Sequence, residues 1–154
     1  MKIVYFGRTR RLNCEAEIEG LKYYLDLNEM LAVTDCVFVA CPLLPETKHL
    51  INKDRFKHMK SRVRLVNVGR GPIVEESAVI DAFERGQLVG AGFDVFEFEP
   101  KVDERLLKNK KITILPHVGA CTRQSFEEFE RKCVNNLIET FFGSGKPAAV
   151  NLLD

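Results

Sequence analysis

The chain has 154 residues, 45% hydrophobic and 29% charged, a composition that suits one globular domain with a real core. Lys and Arg number 23 against 22 Asp and Glu, a near-balance that argues against a nucleic-acid or acidic-membrane partner. No apolar run reaches the length of a membrane span, no signal-peptide pattern opens the chain, and the five cysteines lack C-x-x-C spacing. Reduced thiols and a cytoplasmic location are therefore expected, with no metal site.

In chain order, Lys2–Phe6 reads as a short apolar strand, followed by a polar segment of helical character to about Gly20. A short strand is expected around Lys22–Leu25, then a helix over Glu29–Val33 with Asn28 as its N-cap. Cys36–Ala40 is a continuous apolar run, as expected of a strand buried on both faces. Pro42 and Pro45 make a loop, and Asn52 caps a short helix through His58. Val63–Val68 is a strand ending in Gly69-Arg70-Gly71-Pro72. An amphipathic helix over Glu75–Arg85 turns Ala78, Val79, Ala82 and Phe83 inward and stops at Gly86. The strand Leu88–Val95, one or two helical turns over Asp103–Lys108, the strand Ile112–Leu115 and a long helix from Thr122 to Phe142 complete the series. Strands alternating with helices at this spacing predict an α/β fold, a Rossmann-like doubly wound parallel sheet.

In open α/β sheets, ligands bind outside the carboxyl ends of the strands. Three such ends carry chemistry. Arg70 sits in a Gly-Arg-Gly turn, whose glycines let backbone approach a ligand and whose guanidinium can hold a carboxylate in bidentate fashion. His117, in Pro116-His117-Val118-Gly119, can give a proton to the oxyanion formed by hydride attack. A carboxylate beside it would raise its pKa and fix its tautomer, and both Glu97 and Glu99 are candidates. Asp94 can accept a hydrogen bond from a nicotinamide carboxamide. Taken singly, each residue also fits an ordinary turn, cap or loop, and that plain reading is adopted for His49 and His58.

Four blocks carry a resemblance: Cys41 to Ile51, Asn67-Val68-Gly69-Arg70-Gly71, Gly92 to Pro100 and Pro116-His117-Val118-Gly119. In this order and at these separations they resemble the D-isomer-specific 2-hydroxyacid dehydrogenases, over nearly the whole chain, and most of all the glyoxylate and hydroxypyruvate reductases. The resemblance implies that Arg70 binds substrate, that His117 is the acid/base and that Glu99, rather than Glu97, supports it. It places Pro42, Thr47, Val68, Asp94 and Gly119 around the dinucleotide. It further implies a small 2-oxo or 2-hydroxy acid as substrate and a homodimer formed through the cofactor-binding region.

The first strand runs into Gly7-Arg8-Thr9-Arg10. An NAD-specific site carries an acid near this point for the ribose 2′-hydroxyl, whereas arginine accommodates a 2′-phosphate. Gly7 stands where that acid would be. Arg8, Thr9 and Arg10 therefore favour NADP(H), with NAD(H) as the alternative.

Against the family's pattern, the sequence has neither the first strand–turn–helix with its G-x-G-x-x-G loop nor a preceding substrate domain. Gly90-Ala91-Gly92 is no substitute, since it lies inside a strand. The expected organisation is a partial NAD(P)-binding domain over 1–120, with its first βα unit missing. A helix and tail over 121–154 would then pack toward the absent domain. Without a central strand, the strands at Lys2–Phe6 and Cys36–Ala40 are each expected to keep an open edge. Weak or absent turnover is expected of such a chain. Two alternatives to an oxidoreductase stand beside this reading: a non-catalytic dinucleotide-binding or interaction module, and an inactive truncated remnant.

Overall fold

The short apolar runs of the sequence form strands, and among the described residues every strand-to-strand pairing is parallel. In the computed structural model, which describes residues 1–143, β1 (Val4–Phe6) pairs with β2 (Lys22–Tyr24) in one small sheet. A second sheet holds β3 (Cys36–Val39), β4 (Val63–Asn67), β5 (Leu88–Phe93) and β6 (Ile112–Ile114) in that order. The helices α1 (Leu12–Glu17), α2 (Leu27–Val33), α3 (Lys53–His58), α4 (Glu76–Glu84), α5 (Glu104–Leu107) and α6 (Arg123–Phe141) alternate with them, a Rossmann-like α/β arrangement. The chain falls into two units, Met1–Pro116 and a second that begins at His117.

Within the first unit the core lies between the four-stranded sheet and α2, α3 and α4. Leu31, Phe56, Val63, Leu65, Ile73, Val79 and Leu88 are fully buried there. Each such side chain contributes about 1.5–3 kcal/mol of transfer free energy. No ladder hydrogen bonds join β1 to β3, so the sheets are separate. Helix α2 packs against β1 and β2 and also against α3, which in turn meets α4. Side-chain packing, not backbone pairing, ties the small sheet to the large one.

Capping follows the sequence closely. The Asn52 side chain accepts from Arg55 N at 3.0 Å, and Thr122 accepts from Ser125 N at 3.1 Å. Gly86, at φ 69, ends α4 in the left-handed conformation that glycine adopts without penalty. Helix α2 starts earlier than its predicted bounds: Asp26, not Asn28, is the N-cap, accepting from Glu29 N at 3.0 Å. The earlier cap lets Leu27 into the core.

Strand β3 corrects a second expectation. Its residues alternate, with Val37 and Val39 buried but Cys36 and Phe38 exposed, Phe38 at 63%. An unbroken apolar run could not reveal which face would be covered. Strands β1, β4, β5 and β6 are each shorter than expected at one or both ends, and α1 stops at Glu17. In the second unit, α6 buries no residue, and Phe126, Phe129, Cys133, Leu137 and Phe141 are all exposed along it. The sequence Gly143-Ser144-Gly145, whose glycines are expected to end the long helix, lies partly outside the described residues. Among the described residues, no helix is long and apolar enough to cross a membrane.

Candidate functional site

The predicted residues of the first unit lie at the carboxyl ends of parallel strands. Arg70 follows β4, exposed, with its Nη1 donating to the Gly69 carbonyl at 2.7 Å. Its turn is fastened from below by Asn67, which is 1% exposed. Asn67 Nδ2 donates to the Arg70 carbonyl at 3.1 Å, and its Oδ1 accepts from Gly69 N at 3.1 Å. A buried side-chain amide with both ends satisfied fixes a turn far better than glycine alone. Asn67 ends the apolar run of β4, and motif spacing alone assigns it no role. Polar termination of an apolar strand was the available signal.

Gly71 corrects the role expected of the turn's glycines. A Cβ on Gly71 would run into the backbone of Phe96 and Glu97, so the close approach it permits is to the protein's own chain. Asp94, buried at the end of β5, donates its backbone N–H to the Asn67 carbonyl at 3.2 Å. Glu99 is exposed, and its Oε1 accepts from Phe96 N at 2.8 Å, curling the loop ahead of the cis Glu99–Pro100 peptide.

Glu97 has a different setting. One carboxylate oxygen meets His49 Nε2 at 2.7 Å, and the other accepts from Glu76 N, the first amide of α4, at 3.0 Å. Glu97 N in return donates to Glu76 Oε1 at 2.7 Å. A carboxylate at a helix start satisfies an orphan amide and favours the dipole, and here it arrives from another loop. His49, read from sequence as an ordinary polar histidine, is therefore part of a three-residue lock. Its backbone, at φ 49, is held in the left-handed region. Burial pushes the Glu76 carboxyl above its usual range, with the charges of Glu97 and Asp103 adding to the effect and the Glu97 amide opposing it. These residues border a cleft of about 620 Å³ with Glu75, Lys101 and Asp103.

Pro42 is exposed beyond β3, and Thr47 braces that loop, donating to the Pro42 carbonyl at 2.8 Å and accepting from Leu44 N at 2.7 Å. Val68 is 45% exposed beyond β4. Arg8 and Arg10 project from the loop after β1. Arg8 lies 3.8 Å from Glu46 of the Pro42–Thr47 loop, so these two loops converge. His117 and Gly119 open the second unit, both exposed, with His117 at φ 56. A non-glycine residue in that region costs about 1–3 kcal/mol, which the surrounding structure must offset.

Parallel strands whose ends carry a basic loop, an arginine turn and a buried aspartate define a nucleotide-binding α/β domain. Residues 1–119 match the family model described as D-isomer specific 2-hydroxyacid dehydrogenase, NAD binding domain. The chain belongs to that family. It is 38% identical over 151 residues to a glyoxylate reductase of Pyrococcus furiosus, covering 98% of this chain and 44% of that protein. Among solved structures, D-mandelate dehydrogenase of Rhodotorula graminis superposes with a TM-score of 0.93 at 33% identity, covering 99% of this chain and 45% of that one. An NADPH-dependent glyoxylate/hydroxypyruvate reductase of Sinorhizobium meliloti, in complex with NADP and malonate, gives 0.83 at 31% identity, covering 99% and 48%. The chain thus spans somewhat less than half the length of these relatives.

Proposed function

We propose that this chain carries the chemical residues of a reductase acting on a small 2-oxo acid of the glyoxylate or hydroxypyruvate type, with NADPH as the favoured reductant. The strongest support is the placement of Arg70 on a turn pinned by Asn67 at a strand end of a family-matched fold. Arg70 holds the substrate carboxylate through its planar fork and draws electron density toward the keto oxygen. A reduced nicotinamide, when bound, would supply the hydride, the two electrons that the keto carbon needs. The carbon–oxygen π pair moves onto oxygen, and the His117 imidazolium donates the proton that completes the D-2-hydroxy acid. Glu99 is the carboxylate that supports His117 in this step.

The residues present fit two parts of a dinucleotide. Asp94 offers a buried carboxylate to the carboxamide, and Arg8, Thr9 and Arg10 offer cationic and hydroxyl donors to a 2′-phosphate. Pro42, Thr47, Val68 and Gly119 line its path. For the pyrophosphate, this sequence has no glycine-rich strand–helix turn. Residues 1–120 act as the cofactor-binding part and 121–154 as the segment directed toward a substrate domain, in a homodimeric cytoplasmic enzyme.

The test is reduction of hydroxypyruvate and glyoxylate, followed by loss of NADPH absorbance in protein containing this chain. His117→Gln is expected to lower kcat roughly 10²–10⁴-fold. Arg70→Lys is expected to act mainly on KM for the 2-oxo acid, because a point charge replaces a fork. NADPH binding without turnover, unchanged by either substitution, would support the non-catalytic module instead.

A further inference from the structure

The loop between β1 and α1 is held at both ends by tyrosine hydroxyls. Tyr23 donates to the Gly7 carbonyl at 3.0 Å, and Tyr5 accepts from Arg11 N at 2.7 Å, with the two rings 5.2 Å apart. Arg8, Thr9 and Arg10 project between these fixed points. Tyr5 also donates to Glu15 Oε1 at 2.7 Å, orienting a carboxylate that is only 15% exposed.

Glu15 takes one edge of the Arg10 guanidinium. Nε lies 3.0 Å from Oε1, and Nη2 lies 2.7 Å from Oε2. A guanidinium has a second, end-on fork formed by its two Nη atoms. Among the described residues, Arg10 Nη1 is engaged by no acceptor. The side edge is locked while the end-on fork is presented. The Arg10 and Tyr5 hydrogen bonds hold the Glu15 carboxyl down at about 2, so the lock is ionised at any working pH.

Resting on the NADP(H) reading above, we propose that Glu15 is a positioning residue for cofactor choice: it holds Arg10 so that the free fork meets the 2′-phosphate. A flexible arginine loses rotamer freedom when it binds an anion, and Glu15 removes that loss in advance. Repulsion between Glu15 and the phosphate opposes this. It is weakened because the whole guanidinium separates them and the Glu15 charge is already neutralised by Arg10.

The experiment is calorimetric titration of NADPH and NADH into the wild-type protein and the Glu15→Ala, Glu15→Gln and Tyr5→Phe variants. Glu15→Ala is expected to weaken NADPH about three- to ten-fold and to leave NADH unchanged. Glu15→Gln, which keeps an acceptor, should recover part of the loss, and Tyr5→Phe should fall between. A wild-type preference for NADPH together with an NADPH affinity that is unchanged or tighter in Glu15→Ala overturns the positioning role alone. A wild-type protein with no NADPH preference overturns the NADP(H) reading and this inference together. Equal loss for both nucleotides marks Glu15 as a fold residue and overturns it too.

Discussion

At the residue scale, Glu15 and Glu76 titrate in opposite senses. Glu15 is held low by Arg10, while Glu76 is held high by burial. A carboxyl raised above its unfolded value favours the protonated fold. The cost of ionising Glu76 is therefore absent below its ordinary value of 4.5 and grows as pH rises through the raised folded value. Glu76→Gln keeps an acceptor for Glu97 N and removes the charge. It is expected to melt above the wild type at neutral pH, with the gap closing as pH falls toward 4.5, measured as thermal midpoints across that range. The same lock shows what a sequence hides. Glu97 and Glu99 are two residues apart and chemically alike. Yet one binds His49 and the start of α4, while the other gives one oxygen to the Phe96 amide.

At the scale of elements, the Arg70 turn and the Phe96–Glu99 loop touch through backbone at Gly71. Gly71→Ala has no room there, and the expected loss is at or above the roughly 1–3 kcal/mol of ordinary overpacking. Gly86→Ala is the reference: nothing lies within 4 Å of its Cβ, so only the left-handed backbone is strained, at about 1–2 kcal/mol. Urea midpoints of the two variants give the comparison. Parallel strands and their order of appearance were legible because apolar runs and turn residues are local signals. Asn52 and Gly86 were legible for the same reason, since a cap acts within one turn. The exposed face of β3, the Asn67 brace and the pairing of His49 with Glu97 were not. The covering of β3 and the His49–Glu97 pair depend on residues distant in the chain, and the Asn67 brace, though it spans only two or three residues, depends on a side-chain orientation that no periodicity reports.

For the molecule as a whole, the separation of the two sheets decides how the first unit unfolds. Leu31 of α2 is fully buried, and its helix is the packed link between β1–β2 and the rest. Leu31→Ala is expected to cost about 2–5 kcal/mol. It should also split unfolding, with tyrosine fluorescence from Tyr5 and Tyr23 lost before the far-ultraviolet signal of the larger sheet. The smaller sheet then behaves as a detachable cooperative block. A nucleotide that grips the loop after β1 and the ends of β3 to β5 becomes a second clasp across that seam. Its binding energy would appear twice in one melting curve, as a higher midpoint and as the fusion of two steps into one.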